Sequence, residues 1–210
     1  MRASRLHSRC CEADDILVVM FIIAALGNPG AKYEKTRHNA AWIVLNEIAG
    51  DLGWEESKYA KALVKKSTLE GETVEFLKPL TFMNRSGESV RYSMDKNNLS
   101  PEKVIVLHDE VALPLGEFKI STGKGAGGHN GVASVIHHLK GQHFIRVRIG
   151  VAPTTLRAKF QKATRELAGY VLSSFFEGEI RDLKKQAKDI QSALALIMSG
   201  GATAAMNKWN

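Results

Sequence analysis

Six polar side chains able to bind, orient or deprotonate a substrate are spread along this 210-residue chain: Asn28, His38, Asn84, Asp109, His129 and Asn130. Among them His38 and Asp109 make the one convincing acid–base pair. Imidazole titrates near neutrality, and a carboxylate bonded to one ring nitrogen fixes the tautomer and raises the basicity of the other, which can then take a proton from water. Such a dyad suits hydrolysis without a covalent intermediate. Asparagine amides are neutral at every pH and can donate to a carbonyl or a developing oxyanion without competing for that proton. Each residue also has a plainer use: His38 as a helix-start histidine with a structural bond, Asp109 as a turn former, Asn130 as a helix N-cap.

Other chemistries are less well supported. There is no Gly-x-Ser-x-Gly elbow, and the only cysteines are the adjacent Cys10 and Cys11, which cannot staple a fold and fit a reducing compartment. His137, His138 and His143 have no carboxylate at metal-ligand spacing and read as solvated, so no metal or other cofactor is expected. The run Gly123 to Gly131 lacks the Gly-Lys-Ser/Thr of a P-loop. Ala25-Leu26-Gly27-Asn28-Pro29-Gly30 approaches a dinucleotide fingerprint, but its first glycine is alanine and Pro29 disrupts the helix start that should hold a pyrophosphate. A dinucleotide-dependent enzyme would have to bind NAD.

The six residues need elements that bring them together. Phe21 to Leu26 reads as a buried strand leaving through a sharp turn, because Pro29 fixes its own φ and keeps Asn28 extended. Ligands of open α/β sheets bind at that carboxyl end. Ala41, Val44, Leu45, Ile48 and Leu52 predict an amphipathic helix with His38 and Asn39 in its first turn and Gly53 as its stop. A hairpin is expected over Lys61 to Thr68 and Glu72 to Leu77, then a turn to Gly87 and a weaker helix through Val90 and Met94. Lys103 to Leu107 is a strand ending in His108-Asp109-Glu110, and Glu117 to Ser121 is another. Asn130 is placed as the cap of a helix carrying Val132, Val135, Ile136 and Leu139, and Phe144 to Val151 is the last strand. Residues 152–168 are expected to be a basic loop or lid. Ser174 and Glu177 form a capping box for a long helix that stops at Gly200-Gly201. The alternation predicts a single three-layer α/β domain over residues 20–210, with a central mixed, mostly parallel sheet flanked by helices.

Charge points to a partner. Lys119 to Arg165 holds nine Lys or Arg and no Asp or Glu; removing those nine from the net charge of +7 leaves −2 for the rest of the chain. One acid-free segment thus holds all the excess positive charge, the pattern of a phosphate-backbone binder or of a solvated basic face. Arg2, Arg5 and Arg9 before the apolar run Ile16 to Leu26 imitate a signal peptide, yet Glu12, Asp14 and Asp15 interrupt the basic region and eleven apolar residues are too few to span a bilayer. Residues 1–19 are expected to be a poorly ordered extension, and the protein a cytoplasmic monomer with no membrane partner.

Seven stretches, in order, give the chain a family likeness: Gly27-Asn28-Pro29-Gly30, Thr36-Arg37-His38-Asn39-Ala40, Thr81-Phe82-Met83-Asn84-x-Ser86-Gly87, His108-Asp109-Glu110, Gly127-Gly128-His129-Asn130-Gly131, Arg146-x-Arg148-Ile149-Gly150 and Ala205-Met206-Asn207. Over about residues 20–210 the sequence resembles bacterial peptidyl-tRNA hydrolase. The resemblance implies hydrolysis of the ester joining a peptide to the 3′ ribose of tRNA, with peptidyl-tRNA as partner. It implies His38 as base and Asp109 as its orienter. It further implies that Asn28, Tyr33, Asn84, His129 and Asn130 bind substrate and water, and that Lys119 and Arg148 hold a tRNA phosphate. Glycines usual in the family are alanine here at Ala25 and Ala41, and Val151-Ala152-Pro153-Thr154-Thr155 lacks the usual Gly-Arg-Pro ending. A non-catalytic RNA-binding protein on the same fold is the rival reading.

Overall fold

Strand β1 (Phe21–Ala25) is buried along its whole length, and around it the computed structural model, which describes residues 19–153 and 164–210, builds one sheet. The chain continues through α1 (Ala40–Ala49), β2 (Glu55–Ser57), β3 (Ala62–Leu69), β4 (Glu72–Pro79), α2 (Ser86–Lys96), β5 (Val104–Pro114), β6 (Phe118–Ser121), α3 (Asn130–Leu139), β7 (Ile145–Ala152), α4 (Thr164–Val171) and α5 (Glu177–Trp209). The strand order is β2-β3-β4-β1-β5-β7-β6. The four central strands β4, β1, β5 and β7 run parallel, and β2, β3 and β6 are antiparallel to their neighbours. The β3–β4 hairpin turns on Glu70 and Gly71, both at positive φ, the geometry that matches strand twist.

Side-chain alternation divides the apolar residues into two layers. Phe21, Ile23, Ala25, Ile105 and Leu107 pack beneath α1 and α5, while Ile22, Ala24, Leu26, Val104 and Val106 pack beneath α2 and α3. From β1 the chain passes through α1 to β4 on one side. From β4 it passes through α2 to β5 on the other. The carboxyl ends of β1 and β5 therefore border a crevice where connections diverge, the position ligands take in such sheets. Continuing the alternation along β5 puts Asp109 on the α1 side and His108 on the α3 side.

Several expectations are corrected. His38 and Asn39 lie in a 3₁₀ turn, Arg37–Asn39, ahead of α1 rather than within it. Helix α1 stops at Ala49, not near Gly53: Gly50 has φ 71°, and Leu52 is 86 % exposed. Its last carbonyls are taken up from outside, Ala49 by the Lys65 ammonium and Gly50 by the Trp54 indole at 2.9 Å. The strand expected to end near Leu107 continues to Pro114, because β7 pairs with it through Glu110 and again at Pro114. The α5 cap is Phe176 rather than Ser174: Glu179 accepts the Phe176 N–H at 2.8 Å, and Ser174 instead bridges Thr36. Gly200-Gly201 does not end α5. The chain kinks at Gly201, whose φ of 81° an L side chain rarely adopts, and helix resumes to Trp209. The loop expected over residues 152–168 falls outside the described residues for 154–163, and from Thr164 the chain is helical. The extension expected over residues 1–19 likewise lies outside them up to residue 18; Val19 is buried.

Candidate active site

Three consecutive residues of one turn reach in three directions. The Arg37–Asn39 turn sends Arg37 toward α5, His38 toward β5 and Asn39 back to the loop after β1. Asn39 is fully buried and clasps that loop twice. Its Oδ1 accepts the Asn28 N–H at 2.9 Å, and its Nδ2 donates to the Asn28 carbonyl at 3.0 Å. The Asn28 side chain then accepts the Met83 N–H through Oδ1 at 2.9 Å. With its oxygen so committed, Asn28 has its NH₂ left as a donor.

Asp109 is the centre of the charge arrangement. Its Oδ1 lies 2.8 Å from His38 Nδ1 and 2.9 Å from His129 Nε2. A carboxylate oxygen only accepts, so each of those nitrogens carries its proton. In the neutral imidazole of His38 this puts the lone pair on Nε2, the nitrogen that can take up a proton. For His129 the other nitrogen is engaged as well: Nδ1 accepts the N–H groups of Gly131 and Val132 at 3.1 and 3.2 Å. His129 is thus the N-cap of α3, correcting the placement of Asn130 there; Asn130 is the first helical residue. An imidazole cap works because an unprotonated ring nitrogen accepts backbone N–H groups as a side-chain oxygen does.

The imidazoles hold Asp109 ionised. Burial alone would push its carboxyl upward, but the two imidazoles, His129 first, outweigh it and hold the group well below the usual carboxylate range. His108 is different. Burial, with His129 close by, lowers it to about 3, so it is neutral, and its Nδ1–H donates to the Asp109 carbonyl at 2.8 Å. Its ring meets His129 edge-on at 4.8 Å, and the His38 and His129 rings are 5.0 Å apart.

These groups open onto a cleft of about 600 Å³. Asn28, His38, Asn84, Asp109, His129 and Asn130 all line it, from residues 28 to 130 of the chain. Tyr33 is not in the lining; it packs edge-on against Phe82, which is. Lys119 and Arg148 are also outside it, facing each other across β6 and β7. Arg148 connects to the cleft through Glu110, a lining residue whose Oε2 takes its Nε at 3.0 Å and Nη2 at 2.9 Å. Another depression of about 460 Å³, near Lys103, His143 and Gly201, is at the opposite end of the strands. His38, Asp109 and His129 also present ligand atoms within 4.8 Å of one another, so they could gather around a cation, at the expense of both hydrogen bonds to Asp109.

Sequence reasoning missed Asn39, Glu110 and the apolar wall of Val111, Val171 and Leu172. The first two stand beside residues already singled out, His38 and Asp109. The wall carried no signal, because α4 meets the cleft only through the fold.

Comparison with known proteins agrees across sequence and structure. The sequence model of the peptidyl-tRNA hydrolase family matches residues 22–210. The chain is 37 % identical over 193 residues to a peptidyl-tRNA hydrolase of Listeria welshimeri, covering 91 % of this chain and 100 % of that protein. It is 36 % identical over 192 residues to one of Clostridium acetobutylicum, covering 91 % and 98 %. The crystal structure of peptidyl-tRNA hydrolase from Acinetobacter baumannii superposes with a TM-score of 0.78 at 30 % identity, covering 92 % of this chain and 96 % of that one.

Proposed function

The chain belongs to the peptidyl-tRNA hydrolase family, and we propose that it cleaves the ester between peptide and tRNA with a water activated by His38. Water held near Nε2 attacks the ester carbonyl carbon as its proton passes to the imidazole. The Asp109 carboxylate stabilises the resulting imidazolium through the 2.8 Å bond to Nδ1. Negative charge collects on the former carbonyl oxygen, where the amide NH₂ groups of Asn28, Asn84 and Asn130 serve as donors. When the tetrahedral species collapses, the bond from the acyl carbon to the ribose oxygen breaks and the imidazolium returns its proton to that oxygen, which leaves as the ribose hydroxyl. An alkoxide leaves far more readily than an amine, so no covalent enzyme intermediate is required.

His129 donates its own N–H to Asp109, which fixes the carboxylate, and with Tyr33 borders the peptide side of the site. Lys119 and Arg148 bind a tRNA phosphate at the edge of the sheet. The enzyme works as a cytoplasmic monomer without a metal, and residues 20–210 carry the activity. No helix among the described residues is long and apolar enough to cross a membrane.

The His38–Asp109 contact inside the cleft carries this reading. Its test is release of the amino acid from purified N-acetylaminoacyl-tRNA by wild type and His38→Ala. Loss of a general base should cost about 10²- to 10⁴-fold in kcat, with affinity for uncharged tRNA unchanged. Near-normal turnover by His38→Ala would remove the base assignment. Binding of tRNA with no turnover by wild type would favour the non-catalytic RNA-binding rival.

A further inference from the structure

Arg37 is only 5 % exposed and has no part in the steps above. Its Nη2 donates to both oxygens of Glu179 at 2.9 Å, and its Nη1 to the Val151 carbonyl at 3.3 Å. The guanidinium carbon lies 4.7 Å from the ring centres of both Tyr170 and Phe175. The Arg37 N–H donates to the Ser173 carbonyl, the Phe175 N–H to the Lys35 carbonyl, and Thr36 bridges Ser174. Residues 35–37 are thus sewn to residues 173–179, the junction between α4 and α5. On the other side of that junction, Ala168, Val171 and Leu172 form a wall of the cleft.

Stability alone is a poor explanation for this arrangement. Removing two charges from water largely offsets their attraction, and apolar residues of similar volume often do as well. Among the described residues Arg37 Nε also has no partner, a further cost. What the pair does achieve is geometric. The planar guanidinium is held at two points, Nη2 on the Glu179 carboxylate and Nη1 on the Val151 carbonyl, and the residue so fixed is joined by a peptide bond to His38.

We propose that Arg37 is a positioning residue for the hydrolysis: by locking the α4–α5 junction onto the turn that presents His38, it keeps the base at a set distance from an ester lying along the α4 wall. The inference rests on the reading of His38 as base. Glu179 belongs to the device, since the carboxylate that holds Arg37 also accepts the Phe176 N–H at the start of α5.

The test compares Arg37→Lys, which keeps a charge but loses the planar group that reaches Glu179 and Val151 together, with Glu179→Gln, which keeps an acceptor for Phe176 but loses the charge. Misplacing a catalytic group by about 1 Å can cost about 10²-fold. Both variants should therefore lose roughly tenfold to a hundredfold in kcat, with the smaller change in KM and in affinity for uncharged tRNA. The ¹⁵N signals of the His38 ring should shift in both, and the double variant should be little worse than either single one. Wild-type kcat per folded molecule together with unmoved His38 signals would overturn the proposal, as would a loss that merely follows the unfolded fraction. If Arg37→Lys does not fold, Glu179→Gln decides alone. Should wild type fail to hydrolyse the ester, the functional reading falls by itself. The imidazole spectra still decide on Arg37, since they need no substrate: shifted signals support it and unshifted ones overturn it.

Discussion

A single oxygen, Asp109 Oδ1, accepts from two imidazoles at once, and their remaining nitrogens have opposite fates. Helix α3 occupies that of His129, while that of His38 is free to meet water. The same carboxylate therefore needs both N–H donors, and removing either raises its pKa toward the ordinary range. One residue further along, Glu110 makes a second decision of this kind by holding Arg148. A phosphate approaching Arg148 competes with that carboxylate. Replacing Glu110 by Gln should tighten binding of uncharged tRNA by about fivefold, since such a pair contributes about 1 kcal/mol, and should steepen the salt dependence. A filter-binding titration across salt concentrations checks this, and weaker binding would mean that Glu110 supports the clamp rather than restraining it.

At the scale of elements, packing of α1 on β4 hides an unusual cation. Lys78 is 6 % exposed, donates to Asn46 Oδ1 at 2.7 Å and lies 3.8 Å from the centre of a Trp54 ring. Burial lowers its pKa to about 8, well under the ordinary lysine value. Between about pH 8 and the unfolded value near 10.4 the unfolded chain binds the extra proton, so stability contributed here rises with pH across that window. Below it the charged, buried ammonium is a standing cost, partly offset by the indole. Lys78→Met should therefore be more stable than wild type at pH 7, with the gap closing by on the order of 2 kcal/mol by pH 10. Urea unfolding at the two pH values measures it, and a gap independent of pH would show that the ring and Asn46 fully compensate the charge.

At the scale of the molecule, one end of the sheet gathers His38, Asp109, His129 and the three asparagines, and Lys119 and Arg148 face each other on the neighbouring edge strands. Lys119 on β6 and Arg148 on β7 sit within the acid-free segment that holds all the excess charge. On the proposed function, a long anionic substrate would lie along the edge strands with its ester end in the crevice beside β1 and β5. Lys119→Ala should weaken binding of uncharged tRNA and flatten the slope of log K against log salt by about one phosphate contact. Turnover at saturating substrate should be unchanged. An unaltered slope would remove Lys119 from the nucleic-acid surface.

The order of strands and helices, the Gly-Asn-Pro-Gly turn and the types of the reacting side chains were legible in the chain itself, because hydrophobic period and backbone sterics act over a few residues. Ends were less legible where distant groups took them over. Helix α1 stops where Lys65, 16 residues on, meets the Ala49 carbonyl, and α5 starts where Glu179, held by Arg37 from 142 residues away, takes an N–H. The cap of α3 was misplaced by one residue because the sequence could not show that a histidine nitrogen would be unprotonated there. Which nitrogen carries a proton, whether Arg148 faces a carboxylate, and what Arg37 is for are settled only by folding. Each depends on groups 38 to 142 positions apart brought within about 3 Å, a distance at which hydrogen bonds act and about which local sequence carries no information.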